Sequence, residues 1–363
     1  MNKLPLCLRP LLDHKSPRHK HFTKSLKRTQ SQGKIILTEN GDISQMYTAL
    51  DHGSILASLN WLLNLHFRRR GGVVIPKDPD QKPYFSNCIT EPGSGYFLSK
   101  KQILNITTFD LNNIFFTSKC NLLRQIMGIA MGSPLSPALA ILNCAYHEHL
   151  FHKFLESNHR AIAPDFFSVR YMDDLLSFVL DFDREFKHAD CDKHPDGSCT
   201  EIHTVFNDLF HFYHKRLTME IEPHTGTFKF LESMITVKDN VISSQFYLRN
   251  YNKEQNRVIK KFLNTQHWDS YNNAPIKRAL VLGTLYRILR FSDPLESAVL
   301  PVIAHWTVEL RDHGYPAHVL NKSIKSLSNT IITRPLRGSI SRLVTSIYND
   351  PTFDLSRFPL NYG

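Results

Sequence analysis

An α+β fold, an antiparallel sheet backed by helices with a mostly helical C-terminal part, is predicted by three observations. Residues 168–180 hold two apolar runs split by Asp173-Asp174, the pattern of a hairpin. Thr227–Val237 and Val241–Leu248 form a second pair of runs, split by Asp239-Asn240. Apolar residues recur at helical spacing in Ile55–Phe67, in Ala138–Glu156 and from about Tyr251 to Leu343.

Taken in order, the basic stretch Lys15–Arg28 lacks an apolar period and reads as a loop, an arm or a nuclear address. Ser54 is placed as N-cap of the first long helix, with Gly71-Gly72 as its stop and Arg68, Arg69 and Arg70 in the last turn, where the dipole favours cations. Val73–Gly95, rich in Pro, Gly, Lys and Asp, reads as a loop or short hairpin, and Ser99–Ile106 as a helix. Asn113–Phe116 and Leu122–Ile126 read as paired strands. The helix over Ala138–Glu156 starts after Pro137, and His203–Leu217 forms another.

The chain has 363 residues, 42% of them hydrophobic and 21% charged, the composition of a globular protein. Its net charge of +11 points to a polyanionic partner. Residues 1–41 carry nine Lys/Arg against two Asp/Glu, residues 42–240 carry 19 against 23, and residues 241–363 carry 16 against eight. An acidic middle between basic flanks fits a carboxylate centre with phosphate-gripping elements on either side. Six scattered Cys and an N-terminus without an apolar signal core disfavour a secreted disulfide framework, so a nuclear or cytoplasmic setting is expected. The uncharged run Gln125–Tyr146 is interrupted by Gly128, Gly132, Pro134 and Pro137, so no membrane partner is expected.

The sharpest chemical feature is VRYMDDLLSF, residues 169–178. Alone, Asp173-Asp174 would read as a solvated turn, but adjacent carboxylates at a hairpin tip repel unless a cation neutralises them. Two Mg²⁺ ions held by such groups activate a 3′-hydroxyl in polymerases and nucleases, which requires a further carboxylate from another strand. Asp42, in GDISQMYTAL, is the candidate for it. Between them, MGIAMGSPLSPALA (127–140) shapes a Gly- and Pro-rich turn opening a helix, where the backbone near Gly132 can approach a nucleotide and Ser133 can donate to it.

Together these motifs resemble a reverse transcriptase, and MGSPLSP with its spacing resembles the Penelope-like retroelement class, relatives of telomerase. Asp42 and Tyr47 match that class's first palm motif, Asn112–Gln125 its approach to the GxxMGS turn at Gly128–Ser133, and Tyr171–Asp174 its Tyr-x-Asp-Asp. LTMEIEP (217–223) and FKFLES (228–233) resemble the next two motifs, the second a primer-gripping turn. YLRNYNK (247–253), Lys277–Arg290 and HGYP (313–316) resemble the thumb.

The resemblance implies a reverse-transcriptase palm over 34–248, a helical, helix-turn-helix-like thumb over 249–325, a basic arm or partial fingers over 1–33 and a C-terminal tail over 326–363. It implies RNA-directed DNA polymerisation with an RNA template, a DNA primer and dNTPs, using two Mg²⁺ ions for which Mn²⁺ can substitute. Asp42 and Asp173 would be metal ligands with the carbonyl of Ile43 joining them, and Asp174 would support the site. Tyr47 would exclude a ribose 2′-hydroxyl. Gln125, Gly132, Ser133 and Lys215 would contact nucleotide or template, and Phe230 and Leu231 would position the primer end.

Three features depart from the family pattern. Glu39-Asn40-Gly41 reads as a turn instead of a buried strand leading into Asp42. Asp110 is a rival for the first acid, but only 22 positions separate it from Gly132. The 41 residues before Asp42 are few for a full fingers region, so a truncated or inactive derivative that only binds nucleic acid stays an alternative. An RNA-dependent RNA polymerase is a third reading, set against by Tyr47. Cys191, His194, Cys199 and His203 have zinc-ligand spacing, but with 19 His in the chain a chance match accounts for it better. Lys260, Lys261, Lys277, Arg278, Arg287 and Arg290 together form a candidate grip on a duplex backbone.

Overall fold

A computed structural model describes residues 24–28, 31, 36–67, 71–87, 95–160, 162–163, 165–180, 205, 208–209, 212–213, 216–222, 226–238, 241–249, 251–252, 257–258, 266–360 and 362. Its elements begin with β1 (Ile36–Ser44), α1 (Met46–Ala49), α2 (His52–His66), β2 (Gly72–Pro76), β3 (Tyr84–Ser86), β4 (Gly95–Ser99) and α3 (Lys100–Asn112). Next come β5 (Phe115–Ser118), β6 (Asn121–Arg124), α4 (Ser136–Asn158), β7 (Phe166–Tyr171), β8 (Asp174–Leu180) and β9 (Thr218–Ile221). The chain continues through β10 (Thr227–Phe230), β11 (Ser233–Lys238), β12 (Val241–Phe246), β13 (Tyr251–Asn252) and β14 (Arg257–Val258). It closes with α5 (Ala274–Phe291), α6 (Glu296–Asp312), α7 (Ala317–Ser326) and α8 (Arg334–Asn349).

The central sheet has the order β7-β8-β1-β9, antiparallel where β1 meets both neighbours and where β7 meets β8. Strand β8 is buried on both faces, which is why its run LLSFVL is apolar but for the buried Ser177. Leu175 and Val179 face a helical core with Phe151 and Leu155 of α4 and Ile55 of α2. Leu176, Phe178 and Leu180 face the second sheet, β10-β11-β12, through Phe228, Phe230, Ile235 and Ile242. Alternation with period two thus assigns the faces, and each large apolar side chain removed from water contributes about 1.5–3 kcal/mol.

The second sheet is tied to the helical part. Ser233 Oγ donates to the Phe291 carbonyl (3.0 Å), Phe246 N to Ser292 Oγ (2.9 Å) and Ser244 N to the Asp293 carboxylate (3.0 Å). There α6 is the central helix, burying Val299, Val302, Ile303, Trp306 and Leu310 against Val281 and Leu285 of α5 and Ile340, Val344 and Ile347 of α8. The stretch 326–363, expected as a tail, contributes α8 to this core, and the Tyr362 hydroxyl donates to the Phe246 carbonyl (2.7 Å) while accepting from Leu248 N (2.8 Å).

Several sequence expectations are corrected. Asp51, not Ser54, caps α2 by accepting from Ser54 N at 2.9 Å, which leaves the Ser54 hydroxyl to accept from Asn143 (2.7 Å). Ser99 does cap its helix, in a capping box with Gln102, and that helix runs on to Asn112. Within Val73–Gly95, β2 pairs with β3 as the short hairpin, one of the two expected readings, and β4 joins on the other side to give a three-stranded sheet of order β3-β2-β4. Glu39-Asn40-Gly41 is no turn but lies inside β1, a central strand. Within Lys15–Arg28, residues 24–28 are helical, and Leu26 packs into the core between the two sheets. None of the described helices is long and apolar enough to cross a membrane.

Candidate active site

Strand β1 carries Asp42 to the end of the central sheet, and its register places an acid on each side. Asp42 is opposite Asp174 of β8 and Glu220 of β9. Residues directly opposite in an antiparallel pair share a face with Cβ atoms about 4.5–5.5 Å apart, so Asp174, Asp42 and Glu220 form a row of like charges. Asn40, two residues back on that face, is buried and donates through Nδ2 to Glu222 at 2.7 Å. The Asp173 carbonyl accepts from Ile43 N at 3.0 Å, tying the acidic turn to the strand that bears Asp42. Gly41 is required by close approach, since a Cβ there would sit 2.9 Å from the Glu220 carbonyl oxygen.

The charges act on one another. Burial, then repulsion from Asp173, Glu220 and Glu222, raises the Asp42 carboxyl above its ordinary value. Burial, then Asp173, Asp42 and Glu222, pushes Asp174 up to about 6, against the pull of Lys229. Glu220 and Glu222 were not singled out in the sequence. Their signal was the alternation in TMEIEP, which places both on one face of a strand whose partner is distant in sequence.

The turn presenting Asp173 is held from below. Met172 adopts the left-handed conformation (φ 57°), and its carbonyl accepts from Arg170 Nη1 at 2.7 Å. The Arg170 side chain is buried, pairs with Glu148 of α4 and donates to the Ile141 carbonyl at 3.2 Å. The Tyr213 hydroxyl completes the network, donating to Glu148 at 2.9 Å. Burial disfavours the charged guanidinium, but Glu148 outweighs it and holds the Arg170 pKa above its usual range. Cys144, in the same interior, has its thiol pushed up to about 12 by burial and is unreactive there.

The glycine-rich turn is sewn to the segment after Asp42. Ile129 N donates to the Tyr47 carbonyl (2.7 Å), Gly128 N to the Leu50 carbonyl (2.8 Å), and His52 Nε2 meets the Gly128 carbonyl (2.7 Å). Gly128 has φ +77°, and a Cβ there would lie 2.7 Å from the Tyr47 and Thr48 carbonyl oxygens, so only glycine fits. Tyr47, half-buried, therefore stands beside the Gly128–Ser133 turn. Gly132 is exposed with φ +107° and open space around it. Ser133 Oγ accepts from Leu135 N at 3.3 Å, and Gln125 Nε2 donates to the Met127 carbonyl at 2.8 Å.

Other site candidates fall as follows. Ile43 is buried, with its side chain in the helix-side core. Asp110 lies on α3, so the rival to Asp42 is not a strand residue facing the acidic turn. Phe230 is buried between the sheets and anchors the β10–β11 turn, where Leu231 has φ 55°. Arg287 clamps that turn by donating to both carboxylate oxygens of Glu232 through Nε and Nη2. Lys277 does not belong to a backbone grip: it is buried, donates to the Trp268 and Ser270 carbonyls and sits over the Trp268 ring. Arg278 and Arg290 are exposed. Lys215, Lys260, Lys261, Cys191, His194, Cys199 and His203 lie outside the described residues.

The donor chemistry at the row, hard carboxylate oxygens with charge left unneutralised, suits a divalent cation. Among the described residues, however, no three His, Cys, Asp or Glu side chains already converge as a metal centre.

Two outcomes are expected. Arg170→Met leaves the half-buried Glu148 with the Tyr213 hydroxyl but no cation, and the Met172 carbonyl without its guanidinium donor, and should cost about 2–3 kcal/mol in denaturant unfolding, with most recovered in the double variant with Glu148→Leu. Because the folded pKa of Asp174 is raised, its contribution to stability is present below about pH 4 and lost as pH rises through about 6. In metal-free buffer, Asp174→Asn should remove that decline, stabilising the chain at pH 7 by about 1–2 kcal/mol after solvent screening.

No protein-family model matches the chain, and no curated protein matches it. Solved structures do. Telomerase from Candida albicans, in complex with the TWJ fragment of telomeric RNA, matches at TM-score 0.50 and 12% identity, over 96% of this chain and 54% of that one. Apo telomerase from Candida tropicalis matches at TM-score 0.45 and 8% identity, over 91% and 49%. The chain thus spans about half the length of these telomerase chains. At such identity the likeness is one of fold, and the fold this mixed α/β chain shares is that of telomerase.

Proposed function

We propose that the protein is an RNA-directed DNA polymerase, a reverse transcriptase of a Penelope-like retroelement, with a palm built on the central sheet and a helical thumb. The observation that carries this reading is the row Asp174–Asp42–Glu220 beside Asp173, at the open end of a sheet in a telomerase-like fold. Like charges in adjacent register oppose folding, and a site that retains them fits one that uses them.

In this reading Asp42 and Asp173, with Asp174 and the carbonyl of Ile43 in support, would hold two Mg²⁺ ions, or Mn²⁺ in their place. When bound, the ions supply charge neutralisation for the attacking and leaving oxygens of an in-line displacement. The chain's own groups position the substrates: the Gly128–Ser133 turn and Gln125 receive the dNTP and template base, and Tyr47 packs where a ribose 2′-hydroxyl would project. The turn at Phe230-Leu231, clamped by Arg287, seats the DNA primer end. Arg278 and Arg290 offer cations to the duplex backbone. An intracellular setting follows from those substrates.

A second reading, a derivative that binds nucleic acid without catalysis, is favoured by one observation: among the described residues the acids do not yet converge as a metal centre. Primer extension on an RNA template separates the two. Wild-type chain with Mg²⁺ or Mn²⁺ should extend with dNTPs, Asp173→Ala should lose at least about 100-fold in rate, and Tyr47→Ala should raise ribonucleotide incorporation relative to dNTP. Hybrid binding without extension under either metal would contradict polymerisation and support the second reading, and wild-type preference for ribonucleotides would indicate an RNA polymerase.

A further inference from the structure

Strands β5 and β6 form a hairpin that stands apart from the cores: every residue of both strands is exposed. This is unusual for its composition. Phe115 is 54% exposed, Leu122 71% and Phe116 47%, although burial of such side chains is strongly favourable. Register sorts them by face. Phe115 is opposite Arg124 and Thr117 opposite Leu122 on one side, while Phe116 faces Leu123 on the other. One face therefore sets an aromatic ring beside a guanidinium, with an exposed leucine next to them.

Charge selects the occupant of that face. Residues 111–147 contain no Asp or Glu, and the two cations among them, Lys119 and Arg124, are both on the hairpin. Among the described residues neither side chain is engaged in an ion pair or hydrogen bond. An aromatic face beside an uncommitted cation matches a nucleotide, whose base stacks while its phosphate pairs. Continuity gives the direction. Gln125 directly follows β6, its N–H donates to the Ile114 carbonyl at 2.8 Å, and three residues later the chain enters the Gly128–Ser133 turn. A strand lying on this face leads toward the proposed nucleotide site.

We propose that the Phe115–Arg124 face of the β5–β6 hairpin is a stacking platform for the single-stranded RNA template ahead of the site, with Phe115 carrying a base and Arg124 its phosphate. The assignment of the strand as template rests on the polymerase reading above. The platform itself rests on the hairpin.

The test is fluorescence anisotropy of the full chain with an end-labelled, unstructured 12-nucleotide oligouridine RNA over a salt series, beside primer extension. Phe115→Ala should weaken binding about tenfold, and Phe115→Leu, which keeps apolar area but no ring, nearly as much. Arg124→Gln should reduce the slope of log affinity against log salt by about one. Phe116→Ala, on the opposite face, should stay within about twofold. All three positions are exposed, so unchanged thermal unfolding checks that the fold is intact.

Unchanged affinity in Phe115→Ala would overturn the proposal, as would equal losses from the two faces. Loss of concentration-dependent self-association in sedimentation, with RNA binding unchanged, would make the face a protein contact and also overturn it. Wild-type extension with RNA binding indifferent to Phe115 would sink the platform while leaving the polymerase reading intact. Phe115-dependent RNA binding by a chain that extends no primer would do the reverse.

Discussion

The repulsion among Asp42, Asp173, Asp174, Glu220 and Glu222 is the constraint to which the rest of the structure answers. Nothing in β1, β8 or β9 neutralises these charges directly, and Lys229 is the cation that pulls on Asp174. The row is sustained because the same strands, a few residues on, are buried from both sides. Leu176 and Phe178 pack against the second sheet and Leu175 and Val179 against α4 and α2, so apolar burial offsets an unfavourable end. The Arg170–Glu148–Tyr213 network adds a rigid base for the Met172–Asp173 turn, whose left-handed residue would otherwise relax.

The same economy runs through the neighbouring segments. The Gly128–Ser133 turn is tied to the segment after Asp42: Gly128 N and Ile129 N donate to the carbonyls of Leu50 and Tyr47, while Ile129 packs in the helix-side core and Ser136 Oγ donates to the Ala130 carbonyl, so a shift of that segment carries the turn with it. The β10–β11 turn is likewise clamped by Arg287 from α5, which couples the helical unit to the open end of the sheet. Backbone hydrogen bonds therefore fix the glycine turn to the segment that follows Asp42, and Arg287 fixes the β10–β11 turn to α5.

Much of this was legible in the sequence. The apolar runs around Asp173-Asp174, the glycines of MGIAMGS and the apolar period of α4 are local signals, and each element lies where those signals place it. What escaped was set by partners far along the chain. Glu39-Asn40-Gly41 has the composition of a turn, yet Asn40 is buried because Glu222, 182 residues away, accepts from it, and Gly41 is there because the Glu220 carbonyl passes close by. Lys277 looked like a surface cation, but carbonyls of Trp268 and Ser270 enclose it. Residues 326–363 looked like a tail because α8 completes a core begun by the separate helices α5 and α6, and Tyr362 bonds to Phe246, 116 residues upstream.

The central claim is that the carboxylate row is kept for a cation, and calorimetric titration of Mn²⁺ into the metal-free chain tests it most directly. Binding should be saturable, should vanish in Asp173→Ala, and should release protons most strongly near pH 6, where Asp174 is partly protonated before the cation arrives. Heats that do not saturate, or that are unchanged in Asp173→Ala and carry no proton release, would show that the row binds no cation and would contradict the account.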